Sequence, residues 1–357
     1  MLGDLIVKAG KNALAIIRDG GFNWDRVSTC YGSASGPRWL VASGFDLTLL
    51  EKGCLGRQRA IVLAGASSGA WRFAAWAQAD PLKSYHELRR AYIEAQYHRE
   101  DTPRSVQQSL MRIIDRYIEE DALPFALQNK RYRLAIISAR AKNLTASEQS
   151  WLQKIGLATC FVSNLLFPGT IHRFFERIVF FSGPKPPPFC LNGGYRGQYI
   201  PLNHFNFKHA VLSSGAIPIV VAGVQDIFGA PRGIYRDGGL VDYHINESFH
   251  GRNDEVTLFF HHQEQSKPTW MDKNLQKRRS PEHLMDNVLM VYPSPVFVST
   301  LPDRKIPDRT DFITYVDNQS QRIRNWWKAV DMSAHLGERF MELVDSGRIR
   351  SAVLPFN

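Results

Sequence analysis

Ser67 sits in Gly65-Ala66-Ser67-Ser68-Gly69, where an apolar run, "AIVLAG", gives way to a helix-like "SGAWRFAAWAQ". A serine between small residues at a strand-to-helix junction is a nucleophile elbow: the sharp turn presents the hydroxyl, and bulk two positions away on either side would clash. The following helix points its unpaired amides at the serine and favours developing negative charge. Ser68, next in the chain, can donate its N–H to an oxyanion. The same spacing also serves a plain tight turn. What distinguishes the chemistry is a base, because a serine hydroxyl is a poor nucleophile until its proton is taken.

Histidine is the usual base, and the chain has eleven, with His244, His261, His262, His283 and His335 downstream of Ser67. None lies in a phrase that marks it, although His261-His262 ends an expected strand. Asp237 is the stronger candidate. "YRDGGLVDYH" puts an acid at a strand end, and Gly238-Gly239 let another backbone approach closely. A DGG also suits a hairpin or a type II turn.

The elements around these residues alternate. "RVSTCYG" reads as a buried strand, the small-residue loop from Gly32 to Arg38 follows, and Pro37 opens a helix that ends at Gly53. "RAIVLAG" and the helix after Ser67 repeat the scheme. Strand, glycine loop and helix, twice over, predict a parallel sheet covered by helices. Residues 81–129 read as helical, and "RYRLAIISARA" as a third strand. Residues 150–181 read as two helical pieces broken at Pro168-Gly169. "SGPKPPPFCLNGG" is a turn-rich excursion, and "FKHAVLSSGAIPIV" a small-residue helix running into a proline. "GIYRDGG", "EVTLFFHH" and "LMVYPSPVFVST" read as strands, and Asp311 to Ser346 as a helical tail.

The 357 residues suffice for one large α/β domain, and 44% hydrophobic content is ordinary for a globular chain. Cys30, Cys54, Cys160 and Cys190 are scattered, which fits a reducing compartment and predicts a cytoplasmic protein, with peripheral membrane association as an addition. The N-terminal "MLGDLIVKAGKNALAIIRDGG" has helical spacing broken by charge, without the apolar core of a signal peptide. No uncharged stretch is long enough for a spanning helix. The net charge of +10 suits an acidic partner, and no nucleic-acid motif accompanies it. The most apolar stretch, "IGLATCFVSNLLF" followed by "HRFFERIVFF", reads either as an interfacial surface or as core helices or a lid. The basic run "KNLQKRR" reads as a solvated face.

Three segments together resemble the patatin-like phospholipase family: Gly65 to Gly69, "AVLSSGAIP" at Ala210 to Pro218, and Asp237-Gly238-Gly239. The resemblance implies a three-layer α/β sandwich with a mostly parallel central sheet. It spans residues 20–262, leaving 263–357 as a partly helical extension packed on the same domain. It also implies a lipid acyl hydrolase with Ser67 as nucleophile, Asp237 as base and no histidine, acting on phospholipid or lysophospholipid esters without metal or cofactor. The family's oxyanion loop, GGGx[KR]G, is altered here to Ala34-Ser35-Gly36-Pro37-Arg38-Trp39, so the amides of Ser35, Gly36 and Arg38 join Ser68 as donors. Arg38 either braces this loop, holds a lipid phosphate or pairs with an acid elsewhere. The expected partners are a lipid ester and a membrane surface, with no nucleic acid. Two other classes stay open: an α/β-hydrolase esterase with Asp237 or Asp242 as the acid and a later histidine as base, and a lipid-binding protein without turnover.

Overall fold

The computed structural model describes residues 3–191 and 196–356. In chain order the elements begin β1 (Leu5–Ala9), α1 (Lys11–Gly20), β2 (Val27–Gly32), α2 (Ser43–Lys52), β3 (Ile61–Ala66) and α3 (Ser68–Trp76). Then come α4 (Pro81–Glu94), α5 (Pro103–Tyr117), α6 (Leu123–Leu127), β4 (Tyr132–Ala141), α7 (Ser150–Leu166), β5 (Phe175–Phe181), β6 (Gln198–Pro201), α8 (Phe207–Ser214), β7 (Val224–Gln225), β8 (Ile234–Asp237) and β9 (Val256–Phe260). The last third supplies β10 (Val288–Pro293), α9 (Pro295–Thr300), α10 (Asp311–Thr314), α11 (Gln319–Ser333), α12 (His335–Asp345), α13 (Ile349–Ala352) and β11 (Leu354–Pro355).

The strands form one sheet in the order β11-β1-β10-β9-β2-β3-β4-β5-β6, with β8 on β4 and β7 on β8. The five central strands, β10 to β4, are mutually parallel. Along β3 the side chains alternate between two cores: Ile61 and Leu63 join the cluster with Phe45, Trp76 and Trp326, whereas Val62, Ala64 and Ala66 join the one with Leu157, Phe175 and Met290. That period of two, with helices above and below, is a mixed α/β fold compatible with a three-layer sandwich. The limits expected at residues 20 and 262 fall inside this sheet, because β1 pairs with β10 and β10 with β9.

Three expectations need correction. The second apolar piece of residues 150–181 is not helical: "FERIVFF" is strand β5, antiparallel to β4. Its run is buried on both faces, and such a run carries no period to tell strand from helix. The N-terminal segment is a strand followed by a helix, with Gly10 at the junction. A Cβ on Gly10 would lie 1.9 Å from the Met285 carbonyl oxygen. Finally, "LMVYPSPVFVST" stops being a strand at Pro293, where the Ser294 hydroxyl accepts the Phe297 amide (3.1 Å) and Pro295 opens α9. The end of the proline-rich excursion, residues 192–194, lies outside the described residues. The four cysteines are free, buried thiols. Among the described residues no helix is long and apolar enough to cross a membrane.

Candidate active site

Strand β4 brings Ser67 and Asp237 together. Its Tyr132–Ile137 half pairs in parallel with β3, ending at Ala66 opposite Ile137. Its Ser138–Arg140 half pairs antiparallel with β8, ending at Asp237 opposite Ser138. Because β5 occupies the other edge of β4 along Ala135–Ala141, β8 takes the edge that β3 vacates. The two strands run toward each other and stop at adjacent register positions. The residue after β3 therefore meets the last residue of β8, and the Ser67 hydroxyl donates to Asp237 Oδ2 at 2.8 Å.

Two contacts make this junction depend on glycine. A Cβ on Gly238 would lie 2.0 Å from the Ile137 carbonyl oxygen, so only glycine lets the chain turn over the end of β3. A Cβ on Gly69 would lie 2.0 Å from the Gly32 carbonyl oxygen, where α3 enters against the end of β2. Gly65 is the next-to-last residue of β3, and the Gly239 amide donates to Asp237 Oδ1 at 2.7 Å. Ser67 itself has φ 54° and ψ −126°, a conformation that costs a non-glycine residue about 1–3 kcal/mol. The surrounding bonds hold it there. Its amide donates to Ser214 Oγ (2.8 Å), and the Ser214 hydroxyl donates to the Ile137 carbonyl (2.6 Å). Helix α3 is tied down in turn by Trp71 Nε1 on the Val211 carbonyl (2.8 Å) and by a buried bidentate pair, Arg72 with Asp46, at 2.6 Å for both bonds.

Asp237 is buried, and among the described residues its carboxylate accepts hydrogen bonds only from the hydroxyl and the amide already named. Burial pushes its carboxyl above the ordinary carboxylate range, against the opposing pull of the Arg309 charge, those two hydrogen bonds and the Lys273 charge. A carboxylate with a raised pKa is a better base than a solvated one.

The loop after β2 differs from expectation. The Ser35 amide is engaged by Ser68 Oγ (3.2 Å), with the two hydroxyls 3.1 Å apart. The Arg38 amide turns back on the Ser35 carbonyl at 3.4 Å. Neither is a free oxyanion donor, because the loop closes into a short 3-10 turn from Gly36 to Ala42. The Gly36 and Ser68 amides have no protein acceptor among the described residues, and both residues line the same cavity as Ser67. The Arg38 guanidinium faces Asp308 at 4.0 Å. The guanidinium over the loop belongs to Arg309: a Cβ on Gly36 would lie 2.9 Å from Arg309 Nε. Two residues at this site, Ser214 and Arg309, are not singled out by the sequence. Ser214 lies in "AVLSSGAIP", whose pattern does not say which side chain acts, and Arg309 lies in a tail that no motif marks.

Ser67 opens into a cavity of about 730 Å³. Its walls are mostly apolar, with Trp71, Leu110, Ile217, Val221, Phe312 and Val316 among them, and its polar groups include Arg99, Asp101 and Arg309. No histidine hydrogen-bonds Ser67 or Asp237 among the described residues. Asp242 is held by Arg177 through bonds of 2.7 and 2.6 Å, both side chains fully buried. His244, His261 and His262 pack edge to face beyond the loop, with one ring nitrogen of each within 4.8 Å of the others. His261 Nδ1 is 3.4 Å from Ser33 Oγ. Three imidazoles are a metal-binding chemistry, but His244 Nδ1 accepts the Lys267 amide at 2.9 Å. That bond puts the His244 proton on Nε2, so this ring does not offer Nε2 as a ligand without losing it.

The described geometry defines a mixed α/β chain with a serine-carboxylate pair at the carboxyl end of a central strand. Compared with known proteins, the chain matches no family model and no curated protein.

Proposed function

We propose that this chain is a serine hydrolase of lipid acyl esters, of the patatin-like kind, with Ser67 and Asp237 as a two-residue catalytic centre. The observation that carries the reading is the 2.8 Å bond from the Ser67 hydroxyl to the buried Asp237 carboxylate, beside an apolar cavity of about 730 Å³. The first step breaks the Ser67 O–H bond as its oxygen attacks the ester carbonyl, and Asp237 takes the proton. The Gly36 and Ser68 amides then donate to the tetrahedral oxyanion. Collapse expels the alcohol portion, which leaves with the proton from Asp237, and an acyl-serine remains. Water repeats the sequence to release the fatty acid. The cavity walls suit the acyl chain, and Arg309 suits a negatively charged headgroup.

The test is labelling with a fluorophosphonate, which reports an activated serine, beside product analysis on a panel of phospholipids, lysophospholipids and neutral esters. The wild type should label, and Ser67→Ala and Asp237→Asn should not. Absence of a Ser67-dependent label would remove the hydrolase reading and leave lipid binding without turnover.

A further inference from the structure

Helix α7 is turned inside out. Its buried side carries Gln153, Gly156, Leu157, Cys160 and Asn164, so two amides face inward. Those amides are used: Asn164 Nδ2 donates to Asp272 (2.9 Å), and Gln153 Nε2 to the Ser147 carbonyl (2.8 Å). The outward side carries Trp151, Ile155, Ala158, Val162 and Leu165, three to four positions apart, and is continued by Leu166 and Phe167. Leu166 and Phe167 are each 65% exposed and Trp151 60%. A soluble helix normally presents the reverse pattern, and a contiguous exposed apolar stripe marks a contact surface.

We infer that the outward face of α7 docks on an anionic phospholipid bilayer and so brings the cavity mouth to the lipid surface. The choice of a bilayer rests on the lipid-hydrolase reading and on charge. Residues 149–175 contain no aspartate or glutamate, while Lys154 and Arg173 are exposed. The basic run Lys273 to Arg279 lies at the end of α7, where the Arg278 guanidinium donates to the Asn164 and Leu165 carbonyls at 3.1 Å. The acids flanking residues 149–175 are engaged, Glu148 with Arg236 and Glu176 with Arg140, as is Asp272 with Asn164 and Thr269. A second copy of the chain fits poorly, because a two-fold contact would set this cationic surface against itself. Anionic headgroups fit both the apolar stripe and its basic border.

The face is also joined to the cavity. Gln153 Oε1 accepts the amide of Ile219 at 2.6 Å, and Ile219 and Val220 line the cavity. Ile219 has φ 69°, an outlier for a β-branched residue, which holds the 219–220 corner out beside the helix. Val220 is 54% exposed there.

The test is sedimentation of the full chain with phosphatidylcholine vesicles, with and without about one-third phosphatidylglycerol. Wild type should bind the anionic vesicles, more weakly at high salt, and the double variant Val162→Asp/Leu166→Asp should partition about tenfold or more less. Brominated lipid should quench wild-type tryptophan fluorescence more than that of Trp151→Phe, a readout that needs no charge insertion. Vesicle binding at the wild-type level by Ser67→Ala, and unchanged turnover of a water-soluble short-chain ester by the double variant, separate this surface from the reaction. No binding to anionic vesicles by wild type, unchanged binding by the double variant, or a wild-type dimer that the double variant converts to monomer would each overturn the proposal.

Discussion

Helix α3 is anchored to a buried acid at two points. Just before its first turn Ser67 meets Asp237, and one turn later Arg72 meets Asp46. Asp46 receives a bidentate guanidinium and the Tyr85 hydroxyl, all fully inside the protein. Asp242, on the other side of the sheet, is treated in the same way by Arg177. Asp237 is almost as buried yet receives one hydroxyl and one amide, with its nearest arginine held off as a through-space charge. The matched acids lock elements together. The under-compensated one keeps a raised pKa and a neighbour whose proton it can take, which is the condition for a base.

Replacing the reacting groups should have the largest effect. Ser67→Ala and Asp237→Asn should each lower ester turnover by about 10⁴-fold, measured on purified protein against a soluble ester. The second variant sharpens the comparison through stability. A carboxyl whose folded pKa lies above its unfolded value stabilises the fold fully below the unfolded pKa, and that contribution is lost as pH rises through the folded pKa. At neutral pH native Asp237 is therefore a cost, and Asp237→Asn should raise the melting temperature while abolishing turnover. A lowered melting temperature at neutral pH would mean that Asp237 is as well matched as Asp46.

Arg72→Met removes the partner from Asp46 and leaves a buried, unpaired carboxylate. The expected loss is about 3–5 kcal/mol in urea unfolding, enough to threaten folding outright. Restoring charge balance with Asp46→Asn in the same chain should recover part of it. If Arg72→Met alone is well tolerated, the contrast between matched and unmatched acids fails.

Ser214→Ala should cost less, about 1–3 kcal/mol, because it orphans the buried Ser67 amide and frees a residue held at positive φ. Turnover per folded molecule should also fall, since the serine loses its fixed direction. Ser214→Thr, which keeps the hydroxyl, is the control. This role illustrates what was readable in the chain. The glycines around Ser67 and Asp237 announced an elbow and a close approach, and β3, β4 and β8 were each legible as strands. That β3 and β8 end head to head on β4 is not legible, because register is a relation between segments far apart in the chain, which here begin at Ile61, Tyr132 and Ile234. Strand β5 reads as helix in the sequence because burial on both faces erases its period. Which amides of the loop after β2 stay unpaired is illegible for a similar reason: it depends on where the Ser68 hydroxyl points, and no local pattern records that.

The smallest and most specific test uses Arg309. Its charge opposes the burial that raises the Asp237 pKa, and it makes no hydrogen bond to that carboxylate among the described residues. In the proposed reaction Asp237 must be deprotonated, so kcat/KM should rise with pH through a midpoint above the ordinary carboxylate range. Arg309→Met deletes the charge and keeps much of the packing over Gly36. The acid limb should then move to higher pH, with its plateau little changed on an uncharged ester. On an anionic lipid the plateau should fall as well, because the same guanidinium faces the cavity. A limb that stays in place, or moves to lower pH, would mean that Arg309 does not act on Asp237 through space, and the raised pKa would then reflect burial opposed by the two hydrogen bonds and the Lys273 charge alone.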